Sequence, residues 1–383
     1  MHEVSTNAKF QSRHSIANCP NFIMKILNVV GARPNFMKIA PIVDEMKKTP
    51  DLKAVLIHTG QHYDEGMSDV FFRDLGIPVP DVHLGVGSGT HAGQTARVMV
   101  EFEKVCVEQR PDLVLVVGDV NSTMASTLVA VKLLIPVAHV EAGLRSFDRS
   151  MPEEINRIVT DALCEILFTT SRDADENLKR EGVNPTKIHF VGNVMIDTLI
   201  KHRRKAAALD VISRFEVQPG SYALVTLHRP SNVDEPGVLA GILEALQEIS
   251  ISMPVIFPIH PRTAKRIQEF GLNTKGIGTL EPLGYLEFLN LTSNAGVVLT
   301  DSGGLQEETT ILGIPCLTLR HNTERPVTIS HGTNMLTGPD KSRILDGFRR
   351  ITSGNWQPAG PPEYWDGHAA ERIVRVIRDI CGR

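Results

Sequence analysis

The stretch Thr300-Asp301-Ser302-Gly303-Gly304-Leu305-Gln306-Glu307-Glu308 has the residue types of an anion site. It follows an apolar run at 296–299 that reads as a buried strand, and it opens a segment that reads as a helix ending before Gly313 and Pro315. A strand that turns through two glycines into a helix start leaves free backbone N–H groups at the positive end of the helix dipole. Ser302 is placed to cap that helix, and Gly303 and Gly304 let a phosphate come close to the backbone. Glu308 lies about one turn further in, where it can accept hydrogen bonds from sugar hydroxyls beside such a phosphate. An ordinary capped helix is the alternative, and these residues alone do not exclude it.

Other charged residues also fall just after apolar runs. Arg33 and Lys38 lie on the first strand-to-helix turn and the helix it starts. With His228, Arg229 and Arg325 they would supply a local positive field around a diphosphate. Asp119, Glu141 and Glu153 form the complementary acidic set. Each has a plainer alternative: a surface charge for the cations, a helix cap for Asp119, and a dipole-favoured acid for the pair Glu153-Glu154 behind Met151-Pro152. Several acids in one place would push their pKa values apart, which is how acid and base roles separate.

The elements that must position these residues are strands alternating with helices. Short β-rich apolar runs occupy 25–30, 54–59, 113–117, 137–140, 166–169, 188–191, 223–227, 255–259, 276–280, 297–300 and 316–319. Several are apolar on both faces, as strands of a parallel sheet covered by helices must be. Alternation over 383 residues means α/β, and two doubly wound sheets fit that length better than one. In such sheets ligands bind beyond the carboxyl ends of the strands, which is where the charged residues fall. The natural division is a leader at 1–23, a first domain at 24–191, a second at 192–362 and a terminal segment at 363–383. The 214–220 region reads as helical and leads into a new strand. The last helix, 367–381, is amphipathic.

Composition and missing motifs narrow the classes. A hydrophobic content of 42% and a net charge of −4 give a soluble globular chain with no general attraction to nucleic acid or anionic membrane. Five scattered cysteines without a Cys-x-x-Cys pair fit a reducing cytoplasm and argue against a disulfide framework or a zinc site. No apolar run reaches the roughly 18 residues that span a bilayer. The polar leader lacks the apolar core of a signal peptide and is expected to be a disordered tail or an early start codon. No Gly-x-Gly-x-x-Gly follows the first strand, and Gly85-x-Gly87-x-Gly89 is a loop of another form. The Tyr-x-x-x-Lys of nicotinamide-dependent sugar enzymes is missing too, as is a P-loop. No metal spacing stands out. His58 and His62 have helical spacing, but Gly60 between them places both in a loop.

The motifs taken together resemble one family. They are Gly31-Ala32-Arg33-Pro34 with Lys38, Gly118-Asp119, His139-Val140-Glu141-Ala142-Gly143-Leu144-Arg145 and Pro152-Glu153-Glu154-x-Asn156-Arg157. Further along come Gly192-Asn193-x-x-Ile196-Asp197, His228-Arg229, Asp301-Ser302-Gly303-Gly304-x-Gln306-Glu307-Glu308 and Thr323-Glu324-Arg325-Pro326. In this order, from about Met24 to the end, they resemble the non-hydrolysing UDP-N-acetylglucosamine 2-epimerases. The resemblance implies a GT-B-like fold of two Rossmann-like domains facing a cleft, with the C-terminal helix crossing back to the first. It also implies a cytoplasmic homodimer acting on a UDP-sugar without a cofactor or a metal.

By the same resemblance, Asp119, Glu141 and Glu153 are the acid/base set, with His228 beside them. Arg33, His228, Arg229, Ser302, Gly303 and Gly304 would hold the diphosphate, Glu308 the ribose and Arg325 the sugar side, with Lys38 in support. A regulatory UDP-sugar site is matched in part by Gln61, His62 and Arg97. The chain departs from the family at Asn35, where many members carry Glu, at Asp64, where many carry Gln, and at Pro230-Ser231-Asn232-Val233 after Arg229. Other readings are an epimerase of a UDP-diacetamido-glucuronate, a hydrolysing epimerase, a GT-B glycosyltransferase and a UDP-sugar-binding regulatory protein.

Overall fold

A computed structural model describes residues 23–60, 76 and 78–380. The chain divides into two compact units, one made of the described residues up to Thr198 together with those from Asp366 on, the other of Leu199–Trp365. The expectations for 1–22, Gln61 and His62 lie outside the described residues.

The strands are β1 (Met24–Val30), β2 (Leu52–His58), β3 (Val82–His83), β4 (Leu113–Val117), β5 (Val137–Ala142), β6 (Ile166–Thr169) and β7 (Ile188–Phe190), followed by β8 (Ala223–Thr226), β9 (Val255–Pro258), β10 (Ile277–Leu280), β11 (Val297–Thr300), β12 (Cys316–Thr318) and β13 (Asn334–Leu336). The helices used below are α1 (Arg33–Lys47), α2 (His91–Gln109), α3 (Asn121–Lys132), α4 (Pro152–Leu163), α5 (Val194–Ala207), α6 (Tyr285–Ser293), α7 (Gly303–Leu312) and α8 (Ala369–Ile380).

The first unit is built on a seven-stranded parallel sheet, order β3-β2-β1-β4-β5-β6-β7. Every residue of β4 is buried, because helices cover the sheet on both faces. The second unit has a six-stranded parallel sheet, order β10-β9-β8-β11-β12-β13. In each sheet the strand order reverses direction once, between β1 and β4 and between β8 and β11. Those reversals open a crevice at the strand ends, the usual ligand position in doubly wound sheets.

The terminal helix α8 lays its apolar stripe (Ala369, Ala370, Ile373, Val374 and Ile377) inward, and it packs on α1 within the first unit. Asp197 of α5 accepts hydrogen bonds from the N–H groups of Ala369 at 3.2 Å and Ala370 at 2.7 Å, which satisfies donors at the start of α8.

Three sequence expectations need correction. The 214–220 region is not helical: a single 3-10 turn at Ile212–Phe215 ends at Glu216, which takes a left-handed φ of 53°. β-Branched residues are weak helix formers, and Pro219-Gly220 rules out continuation. His58 is not a loop residue but the buried last residue of β2, with ring-edge contacts to Phe36 at 5.0 Å and His83 at 5.4 Å. The strands β3 and β13, two and three residues long, were too short to be read from periodicity. Among the described residues, no helix is long and apolar enough to cross a membrane and no cluster of His, Cys, Asp and Glu could hold a metal ion.

Candidate active site

In the first unit the reversal between β1 and β4 gathers the polar residues. Arg33 opens α1 directly after β1. Asn35, on the same turn, accepts from the Ala32 N–H at 3.0 Å and donates to the Val117 carbonyl at 2.9 Å, tying the end of β1 to the end of β4. Donating and accepting at once is what an amide does and a carboxylate cannot. Gly118 follows β4 with a φ of +68°, and a Cβ there would sit 3.0 Å from Lys38 Nζ and 3.4 Å from Glu141 Oε2. A side chain at 118 would therefore meet Asn35, Lys38 and Glu141.

Lys38 and Glu141 form a buried ion pair. Sequence reading placed Glu141 after its strand, whereas it lies inside β5, with a φ of +76°. The register of β5 against β6 shifts at this point, between Val140 and Ala142. A left-handed, bulged, non-glycine residue is uncommon and costs free energy unless its surroundings impose it.

Asp119 is not a helix cap, since Val120 occupies the N-cap of α3 and makes no side-chain cap bond. Its Oδ2 instead accepts from Arg157 Nη1 at 2.5 Å, and its backbone carbonyl accepts from Asn156 Nδ2 at 2.9 Å. Glu153 stands in the first turn of α4, half-buried, and its carboxylate accepts no hydrogen bond among the described residues. Its neighbour Glu154 is buried and structural. It accepts from the N–H groups of Ser146 at 3.0 Å and Phe147 at 2.9 Å, and from Arg157 Nη2 at 2.7 Å. Burial alone would raise its pKa, but the Ser146 N–H and Arg157 hold it below the ordinary value.

Beneath these lies a fully buried set that sequence reading left without a role. Asp161 accepts from His139 Nδ1 at 2.6 Å, Arg145 Nη1 at 2.7 Å and the Gly143 N–H at 3.0 Å. Burial would raise the Asp161 pKa, yet His139 and Arg145 hold it down. His139 Nε2 donates to the Gly118 carbonyl at 2.8 Å. Both glycine turns flanking Glu141 are thereby pinned to one carboxylate. The available signal was periodic: Glu154, Arg157 and Asp161 share one face of α4, and that face is buried.

The second unit has its own cluster at the β8/β11 reversal. Asp301, fully buried, accepts from the N–H groups of His228 at 3.0 Å and Arg229 at 2.9 Å, and pairs with His228 Nδ1 at 2.9 Å. Burial would raise the Asp301 pKa, but His228 keeps it below the usual range. The Nδ1 contact leaves His228 Nε2 unbonded among the described residues, on a side chain that is 44% exposed.

Ser302 occupies the N-cap position of α7, but its side chain makes no cap bond, contrary to expectation. Its own N–H turns back to Thr300 Oγ1 at 2.9 Å, so the donors of Gly303 and Gly304 receive nothing from the serine hydroxyl. Gly303 has a second reason to be glycine: a Cβ there would sit 2.5 Å from Arg325 Nη1. Arg325 pairs with Glu307 through Nε at 2.5 Å and also with Glu324. Arg320 reaches Glu324 at 2.8 Å and Arg229 approaches it at 3.8 Å. Three guanidiniums thus face two carboxylates beside the glycine turn. Burial would raise the Glu324 pKa, but Arg325 and Arg320 drive it well below the carboxylate range.

Glu308 is the exception, a buried acid without a cation partner among the described residues. Burial pushes its pKa up to about 7, against a hydrogen bond from Tyr285 of α6 at 3.3 Å and with Glu307 nearby adding to the rise. Tyr285 had no signal in the sequence. Arg97 is spent locally, donating to the carbonyls of Val86 and Ser88, each at 3.0 Å.

The family model for UDP-N-acetylglucosamine 2-epimerase matches residues 44–378. The chain belongs to that family. The UDP-N-acetylglucosamine 2-epimerase of Methanocaldococcus jannaschii is 45% identical over 367 residues, covering 92% of this chain and 99% of that one. The UDP-2,3-diacetamido-2,3-dideoxy-D-glucuronate 2-epimerase of Pseudomonas aeruginosa is 43% identical over 360 residues, covering 93% and 100%. The crystal structure of the M. jannaschii enzyme with UDP-GlcNAc and UDP superposes with a TM-score of 0.86 at 44% identity, covering 93% and 100%. These relatives are isomerases, and the architecture of this family member is α/β and GT-B-like.

Removing one partner of a buried ion pair leaves an uncompensated charge and costs about 3–5 kcal/mol. Lys38→Met is therefore expected to lower the unfolding free energy at neutral pH by that order in urea denaturation, and Lys38→Met/Glu141→Gln to recover much of it. A double variant no more stable than the single one would show that Glu141 does not depend on the lysine charge.

Proposed function

We propose that this chain is a UDP-N-acetylglucosamine 2-epimerase that works by eliminating UDP and adding it back. The hydrogen on C2 is not next to a carbonyl, so simple deprotonation there is too slow. In the elimination, C2 loses its proton as the C1–O bond breaks, giving a glycal and UDP. A proton then arrives on the opposite face of C2 while UDP re-forms the bond at C1. The route consumes no oxidant or reductant. It needs carboxylates at the sugar and fixed positive charge at the diphosphate.

The observation that carries this reading is the pairing pattern of the acids. Glu141 is paired with Lys38 and Asp119 with Arg157, while Glu153 carries no partner among the described residues. Differently partnered carboxylates suit separate acid and base roles. In this reading Asp119, Glu141 and Glu153 handle the protons. Arg33, His228, Arg229, the Ser302 hydroxyl and the N–H groups of Gly303 and Gly304 hold the diphosphate, Glu308 takes the ribose hydroxyls and Arg325 serves the sugar side. The P. aeruginosa relative, nearly as similar as the M. jannaschii one, favours a UDP-diacetamido-glucuronate as the second candidate substrate.

Incubation with each UDP-sugar in D2O, followed by proton NMR, tests the reading. Deuterium at C2 of an intact UDP-sugar is expected. Free sugar would point to hydrolysis, and an unchanged substrate in both cases would sink the proposal. Asp119→Asn and Glu141→Gln should each lower turnover by roughly 100-fold or more, and near-normal rates would remove those acids from the mechanism.

Glu308 gives a pH dependence. Its pKa of about 7 means the acid is mostly protonated below neutrality, and only the carboxylate accepts from a hydroxyl at each of its two oxygens while repelling none as a donor. UDP affinity should therefore rise as the pH increases from 6 to 8, by about tenfold relative to a Glu308→Gln variant that removes this titration. Parallel curves for the two proteins by calorimetry would end the assignment.

We also propose that the chain acts as a homodimer. Exposed Val100 and Val107 on α2, and a groove of about 480 Å³ lined by Ala92, Ala96, Met99, Met124, Pro152 and Ile155, give it an apolar surface to bury. Light scattering should return twice the chain mass of 42.1 kDa, and the single mass would refute the dimer.

A further inference from the structure

We infer that Arg157 is a positioning residue for Asp119, holding its Oδ2 so that Oδ1 is the oxygen presented for proton transfer. The inference rests on the epimerase reading above. It begins with an expensive side chain. Arg157 is among the largest fully buried side chains of the protein, and a guanidinium taken out of water is costly unless its donors are met. A helix that had only to pack on its sheet would place an apolar residue there.

The donors are met in two directions. Nη1 reaches Asp119 Oδ2 at 2.5 Å, while Nε at 3.1 Å and Nη2 at 2.7 Å both reach Glu154 Oε2. Glu154 is itself immobilised by the N–H groups of Ser146 and Phe147. The guanidinium is thus a rigid spacer from an anchored carboxylate to one that is 29% exposed. Asn156, the preceding residue, holds the backbone carbonyl of Asp119 at 2.9 Å. Both ends of Asp119 are therefore fixed from the first turns of α4, the same turns that carry Glu153 four residues before Arg157. One helix sets two of the three acids.

The carboxylate has two oxygens, and this arrangement distinguishes them. Oδ2 is occupied by Arg157, and Oδ1 accepts no hydrogen bond among the described residues. Arginine remains charged at any working pH, so the clamp persists whether or not Asp119 carries a proton. Lysine cannot replace it, since one ammonium cannot span Glu154 and Asp119 in the fork geometry of a guanidinium.

A purely structural Arg157, serving only to hold Glu154 and the 146–147 turn, predicts different behaviour. Three variants are compared by steady-state kinetics and C2 deuterium exchange: Arg157→Lys, Glu154→Gln and Asp119→Asn/Arg157→Lys. With Asp119 mispositioned by a fraction of an ångström to an ångström, Arg157→Lys should lose roughly 10- to 100-fold in kcat while KM stays within about threefold. Glu154→Gln can keep one oxygen as acceptor for Arg157 and Ser146, so it preserves the anchor, gives up only the Phe147 N–H bond that holds the turn, and should keep kcat within about threefold. In the Asp119→Asn background, Arg157→Lys should cost nothing more, because the group it positions is already gone.

An unchanged kcat in Arg157→Lys, an equal loss in Glu154→Gln, or a full further loss in the double variant would each overturn the inference. If Arg157→Lys does not fold, Asn156→Ala takes its place, removing a contact to Asp119 without stranding a charge. A several-fold drop in kcat at constant KM supports the clamp, and an unchanged kcat rejects it. The parent protein in the same exchange assay separates the two levels. No exchange in the parent fails the functional reading and the inference with it, whereas exchange in the parent with normal variants fails the inference alone.

Discussion

A carboxylate carried below the protein surface is stable only if cations or N–H groups close around it. Glu141 has Lys38, and Asp161 has His139, Arg145 and a glycine N–H. Asp301 has two backbone N–H groups and a histidine, and Glu324 has two arginines in direct contact. Each of these acids sits at or just beyond a strand end, or on the segment that covers one. Lys38 reaches Glu141 from the helix after β1, and His228 and Arg229 reach Asp301 from the turn after β8, so these pairs also tie neighbouring strand ends together. The polar ends of both sheets are held in shape by these interactions.

That requirement explains what the sequence displayed and what it hid. Strands such as β4 and β11 were legible because burial on both faces writes a continuous apolar run. The residues just beyond them were legible as candidates because several charged residues fall after such runs. Asp161 and Arg157 were harder. They lie inside a helix, where a charge is commonplace, and only the burial of their face marks them. Tyr285 reaches Glu308 from a helix far away in sequence, and no local pattern announces such a contact.

Ser302 and Glu141 show the opposite limit, where the structure differs from the local reason for singling out the residue. Ser302 stands at the N-cap, yet its hydroxyl does not cap, and the adjacent glycine is required by the guanidinium of Arg325 as well as by the turn. Residue type and position predicted the element. The packing behind Gly303 depends on Arg325 and Glu324, more than fifteen residues away, which spacing cannot encode.

Glu141 is where these constraints meet. Its left-handed φ of +76° is costly for a residue with a Cβ, and the bulge beside it gives up part of the β5–β6 register. An extended residue at 141 would send its side chain along the ordinary alternation of β5, in line with one face of the sheet. The bulge re-aims it towards Lys38 and the turn at Gly118, and the neighbouring Gly143, at φ +77°, packs against Ala174 so closely that no side chain fits. The His139–Asp161–Arg145 set then fixes both turns from below. Strain at one residue is thus stabilised by a buried ion pair above and a buried ion cluster beneath. A carboxylate that only filled space would not require either.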